Sequence, residues 1–159
     1  MPAIPRGTGA VSGTVLSLLA AGAIGAAAGT GGFTFVYARG ASYLGHDAAA
    51  CANCHIMQEQ YAGWLKGSHR SAAVCNDCHT PAGFLGKYAV KGLNGFRHSF
   101  AFTTGWFHEP IQITAFNRGI TERRCRECHA DIVDQVAGPH GRGETVSCIR
   151  CHASAGHLQ

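Results

Sequence analysis

Residues 51–58 read CANCHIMQ. Cys51, Cys54 and His55 spell CxxCH, and the pattern returns at 75–79 (CNDCH), 125–129 (CRECH) and 148–152 (CIRCH). These four stretches use all eight cysteines of the 159-residue chain. A disulfide framework does not explain a histidine after every second cysteine, and zinc sites built from paired CxxC do not need one. Four such motifs with no cysteine left over point to c-type haem attached at each.

The spacing has a chemical reason. Two thiols add to the two vinyl groups of one porphyrin, and a two-residue spacer reaches both. The adjacent histidine then lies under the iron as a proximal ligand. The haem thioethers are therefore expected at Cys51, Cys54, Cys75, Cys78, Cys125, Cys128, Cys148 and Cys151. Attachment of this kind is made outside the bacterial cytoplasm, so the haem-bearing part, residues 39–159, should be exported. A domain of that size buries little apolar surface by itself. Four haem c groups add rigid apolar area, and the 22 glycines let backbone pass close to flat macrocycles. The expected fold is mainly α with much irregular structure: a small multihaem cytochrome c domain built on four haems, with almost no sheet. The formal charge of +4 is no nucleic-acid signal, because the haem propionates add negative charge against it.

Working toward the amino terminus, residues 7–38 hold no charged side chain. Within them lies VLSLLAAGAIGAAAGTGGFTFVYA, long enough to cross a bilayer as a helix. Its small-residue run, Gly22 to Gly32, suits close helix packing, and Phe33, Phe35 and Tyr37 suit a lipid–water interface. AIGAAAG also resembles a signal-peptidase site, but the apolar run continues well past it. Residues 1–38 are therefore expected to be an uncleaved signal anchor. The chain would then be single-pass in the cytoplasmic membrane, Arg6 inside and the haem domain on the periplasmic side.

Toward the carboxyl terminus, the motifs fall into two pairs. Twenty residues separate Cys54 from Cys75, and 19 separate Cys128 from Cys148. Each pair has a histidine shortly before its second motif, His69 in one and His140 in the other. This reads as a duplicated di-haem unit, 51–79 and 125–157, split by an insert at 80–124. As a helix, the insert puts Phe84, Leu85, Tyr88, Ala89, Leu93, Phe96 and Phe100 on one face. Lys87, Lys91, Asn94 and His98 line another. Gly92 and Gly95 weaken the helix. The apolar face suits either a membrane surface or the faces of the haems.

Six-coordinate haem iron needs two axial ligands. The motifs supply His55, His79, His129 and His152. The candidates for the second set are His46, His69, His98, His108, His140, His157 and Met57. His157 follows His152 too closely to cap the same haem easily and is expected to cross to a neighbour. Met57, two residues after His55, is a spare ligand that only the first motif has.

One N-terminal anchor, four CxxCH in two pairs, CHIM at the first and a histidine five residues past the last resemble the NapC/NirT family of membrane tetrahaem quinol dehydrogenases. Within it, the likeness is greatest to the small subunit of cytochrome c nitrite reductase. The resemblance covers nearly the whole chain. It implies oxidation of menaquinol and delivery of the electrons to a periplasmic partner, a catalytic multihaem nitrite reductase subunit, in a hetero-oligomer held by membrane lipid. It implies Met57 rather than His55 on the first iron, His129 with His157 on the third, and His152 with His69 on the fourth. His79 would bind the second, whose other side faces the partner. It also implies a quinol site beside the first haem, with Lys91 at the lysine position. The carboxylate that belongs two turns later is here His98, either a proton acceptor or an iron ligand. His140 is a further candidate for the second iron.

Two other functions fit parts of this pattern. A soluble periplasmic electron shuttle would carry the haems without the anchor. A donor to a nitrate or trimethylamine-oxide reductase would differ only in its partner. The chain is not expected to be the nitrite-reducing subunit, which needs a stably open haem and an atypical motif, whereas all four motifs here end in His.

Overall fold

The structure is a computed structural model that describes residues 12–137 and 147–157. His140 lies outside the described residues. Among the described residues there is no strand. The backbone divides into two units, one ending at Gly40 and one beginning at Ala41.

The first unit is helix α1, Gly13–Tyr37. Its 25 residues rise roughly 1.5 Å each, enough to cross a hydrocarbon core of about 30 Å. It is apolar all round, carries no charge in its first or last turn and has no buried residue. A helix without a polar face has no side to give to water. Phe33 and Tyr37, one turn apart, stack at 5.8 Å near its end.

The second unit begins with 3₁₀ turns at Gly40–Leu44, Ala48–Asn53 and His55–Met57. Asp47 starts the middle one by accepting from the Ala49 N–H. Then come α2, Gln58–Lys66; a 3₁₀ turn, Ser68–Ser71; and α3, Cys75–His79. The long helix α4 is Phe84–Thr104, α5 is Ala115–Cys128, α6 is Ala130–Ala137 and α7 is Cys148–Cys151.

Helix α4 runs unbroken through Gly86, Gly92 and Gly95 for 21 residues, so tertiary contacts override the poor propensity of glycine. It stops at Gly105, whose φ of 69° is the left-handed turn that only glycine adopts freely. The Asn94 and Asn117 amides donate to each other at 3.1 and 3.2 Å and fasten α4 to α5. The last ten residues of 80–124 are the first ten of α5, which carries the third CxxC at its end.

Among the described residues the buried apolar side chains are Ala48, Val90 and Ile120, and the buried polar ones are Thr80, Lys91 and Asn94. Helix α3 packs mainly on α5, and α2 packs on the turns before and after it. The Trp64 indole N–H donates to the Ala73 carbonyl at 3.0 Å and ties α2 to the residues leading into α3. Large apolar side chains such as Leu65, Leu93, Phe116 and Ile132 remain exposed, as suits a chain that shares its core with a non-protein group.

Candidate functional site

Three of the four motifs have the same backbone. In α3, at the end of α5 and in α7 the two cysteines are three residues apart on one helical turn, so both thiols leave the same face. His79 ends α3, and His129 and His152 stand just past α5 and α7. The first motif departs from this. Cys54 is extended, at φ −89° and ψ 120°, and interrupts the turn between the two cysteines and the histidine. His55 then opens a new 3₁₀ turn that ends at Met57, leaving His55 exposed and Met57 half-buried.

The thiols lie in a continuous series. Cys51 and Cys75 share a hydrogen bond, which lowers the Cys51 thiol to about 7 and raises Cys75. Cys78 is within electrostatic reach of Cys125 and Cys128, and Cys125 of Cys148. The first motif thus adjoins the second, the second the third and the third the fourth. Among the described residues no three His, Cys, Asp or Glu converge as a metal-ion cage, which is what a zinc site would need.

Two histidines outside the motifs are each fixed by a hydrogen bond to a backbone carbonyl. The His69 Nδ1 donates to the Ala155 carbonyl at 2.9 Å, and the His157 Nδ1 donates to the Gln60 carbonyl at 2.9 Å. A carbonyl can only accept, so the proton sits on Nδ1 and Nε2 keeps its lone pair, the usual arrangement of a metal-ligating imidazole. The His69 ring lies 6.1 Å from that of His129, and the His79 ring 6.0 Å from that of His157. Burial, and then the nearby His157, push His79 down to about 4, so its ring is neutral with a lone pair to give. These two pairs differ from those the resemblance implied, His129 with His157 and His152 with His69. His55, His129 and His152 are exposed. The donor set of four thiol pairs, a histidine after each, and two further imidazoles with Nε2 free fits covalently attached haem.

Lys91 and His98 share one stripe of α4, but they are placed differently. Lys91 is 2% exposed and donates to the Tyr43 and Gly45 carbonyls at 2.9 and 2.6 Å. Its ammonium lies 5.8 Å from the ring centres of both Tyr43 and Tyr88. Burial first, then Lys87, lower its pKa, while Cys51 acts the other way, which places Lys91 beside the first motif. His98, two turns on, is exposed. His46 contacts the Lys87 ammonium at the edge of a cavity of about 300 Å³, which Asn76, Asp77 and Arg124 also line. His108 is exposed on the segment between α4 and α5.

The helix is inverted relative to ordinary amphipathic helices. Its polar stripe, Lys87, Lys91 and Asn94, faces the fold, and its apolar stripe faces out, with Leu85 82% and Phe96 70% exposed. Sequence reasoning missed the loop partners Tyr43 and Gly45, which carry no motif. It also missed Glu122, three residues before Cys125, whose carboxylate binds the start of α7.

The profile of the NapC/NirT cytochrome c family, N-terminal region, matches residues 11–159. The cytochrome c-type protein NrfH of Wolinella succinogenes is 36% identical to this chain over 77% of each. A chain in the crystal structure of the cytochrome c nitrite reductase NrfHA complex bound to the HQNO inhibitor superposes with a TM-score of 0.61. That match is 25% identical and covers 91% of this chain and 90% of that one.

Proposed function

The chain belongs to the NapC/NirT cytochrome c family, and on that basis we propose that it is a membrane-anchored quinol dehydrogenase. It oxidises menaquinol and delivers the electrons, through four c-type haems, to a catalytic multihaem nitrite reductase subunit in a hetero-oligomer. The observation that carries this reading is the match along nine-tenths of the chain to the NrfHA complex. The spanning helix α1 makes this a single-pass membrane protein; the proposed membrane is the cytoplasmic one, with residues 41–159 on the periplasmic side.

When bound, the haems supply one-electron redox centres. The four CxxC pairs would attach them, and His79, His129 and His152 would bind iron. His69 and His157 would offer Nε2 to iron as well, each ring fixed by its Nδ1 bond to a carbonyl. At the first site, where Cys54 breaks the turn that the other motifs share, Met57 is half-buried and His55 exposed, which supports Met57 over His55. A thioether is a weaker donor than a second imidazole and raises the potential, which suits the place where electrons arrive. The second site keeps one side for the partner subunit or for His140.

Oxidation of a quinol releases two protons. His98 can take one at neutral pH, being exposed and yet desolvated enough to have its pKa lowered. Lys91 acts behind it, holding the Tyr43–Gly45 loop that leads into the first motif. The outward apolar stripe of α4 gives lipid and the quinol ring a surface to meet.

The test uses the full chain with its haems in liposomes. Menaquinol should reduce the haems, and addition of nitrite and the catalytic subunit should reoxidise them. Haems that dithionite reduces but menaquinol does not would overturn the reading.

A further inference from the structure

The Glu122 carboxylate accepts from the N–H groups of Cys148 and Ile149 at 2.9 and 3.1 Å, and the Ser147 hydroxyl donates to it as well. Ser147 in turn accepts from the Arg150 N–H at 3.3 Å. Glu122 stands on α5, one turn before the third CxxC, and its partners are the first residues of the fourth. One side chain therefore joins two attachment motifs that are 19 residues apart in sequence.

Burial raises the Cys125 and Cys148 thiols, and the Glu122 carboxylate raises each further. Arg126, on the same helix, acts the other way at Cys148. Three donors at one carboxylate keep it ionised, and its pKa is lowered although desolvation opposes this. A fixed negative charge beside a redox centre stabilises the oxidised form over the reduced one. We propose that Glu122 is a positioning residue that seats the fourth motif on α5 and, as a fixed negative charge between the third and fourth attachment sites, holds the potential of the fourth haem low. This rests on haem attachment at Cys148 and Cys151, and not on the identity of the quinol or of the partner.

The experiment uses the full-length holo chain. Haem content is read by pyridine haemochrome, and the potentials by titration followed in optical and electron paramagnetic resonance spectra. Glu122→Gln, close in shape but neutral, should retain four haems and raise the midpoint potential of one of them. Glu122→Asp should keep that potential near the wild-type value. Glu122→Ala, which leaves the Cys148 and Ile149 N–H groups without their acceptor, should load fewer haems. Glu109→Gln, the removal of an exposed acid on the segment between α4 and α5, should change neither count nor potential. Wild-type potentials in Glu122→Gln would overturn the proposal, since a purely structural role predicts that result. If Glu122→Gln fails to load the fourth haem, Glu122→Asp decides. Four haems with an unshifted potential support a required charge, and loss of the haem there too overturns it.

Discussion

The His69 imidazole and the Ala155 carbonyl are joined by a 2.9 Å hydrogen bond across 86 residues of chain. A second bond returns from His157 to Gln60. Each therefore belongs to a crossing between the first di-haem unit and the tail, and each has its Nε2 free. His69→Ala and His157→Ala should each replace one bis-imidazole low-spin signal with a high-spin one that binds carbon monoxide, with four haems still attached. An unchanged low-spin spectrum in either variant would remove that residue from the ligand set.

The same crossing depends on Gly67. A Cβ there would stand 3.3 Å from the Gly156 carbonyl oxygen, in the tail that carries His157. The φ at Gly67 is −73°, so any residue could adopt the backbone and only the contact is at stake. Gly67→Ala should cost about 1–3 kcal/mol by overpacking and shift the spectrum of the haem that His157 serves. Thermal denaturation beside low-temperature spectra checks both.

Helix α4 shows what the sequence could reveal and what it could not. Periodicity separated an apolar from a polar stripe correctly, because helical geometry fixes which residues share a face. It could not say which stripe points inward. Lysines normally face water, yet Lys91 is buried because the Tyr43 and Gly45 carbonyls, far away in sequence, accept its protons. The CxxCH motifs are legible because covalent attachment fixes their spacing. The ring neighbours of His69 and His157 and the reach of Glu122 to α7 are not, since each is a meeting of segments with no shared pattern.

Lys91→Met should loosen the loop before the first motif. The half-buried Tyr43 carbonyl would lose its donor, a loss of about 1–3 kcal/mol when no water replaces it, while the Gly45 carbonyl would keep the Asn76 amide at 3.0 Å. The lowered pKa of Lys91 also has a signed consequence. Between that value and the ordinary 10.5, the folded chain holds fewer protons than the unfolded one. Stability from this group therefore rises with pH through that window. The gap in melting temperature between wild type and Lys91→Met should widen as pH climbs toward 10.5. A gap independent of pH would mean that Lys91 titrates alike in both states.

His98 lies on the Lys91 stripe, two turns on, with its ring exposed. It stands where the family resemblance implies a carboxylate. Partial desolvation lowers its pKa, so at neutral pH it is an acceptor with an empty proton site. His98→Ala should slow menaquinol oxidation about 10²-fold, the low end of what a positioned base contributes, and flatten its pH profile, with the haem spin states unchanged. His98→Asp should restore turnover with an acidic limb moved to lower pH, because an unperturbed Asp titrates near ~3.9 and His near ~6.5. A new high-spin haem and carbon monoxide binding in His98→Ala would instead make the residue an iron ligand. Quinol would then have to react at the porphyrin edge, and the proton would need another acceptor on α4.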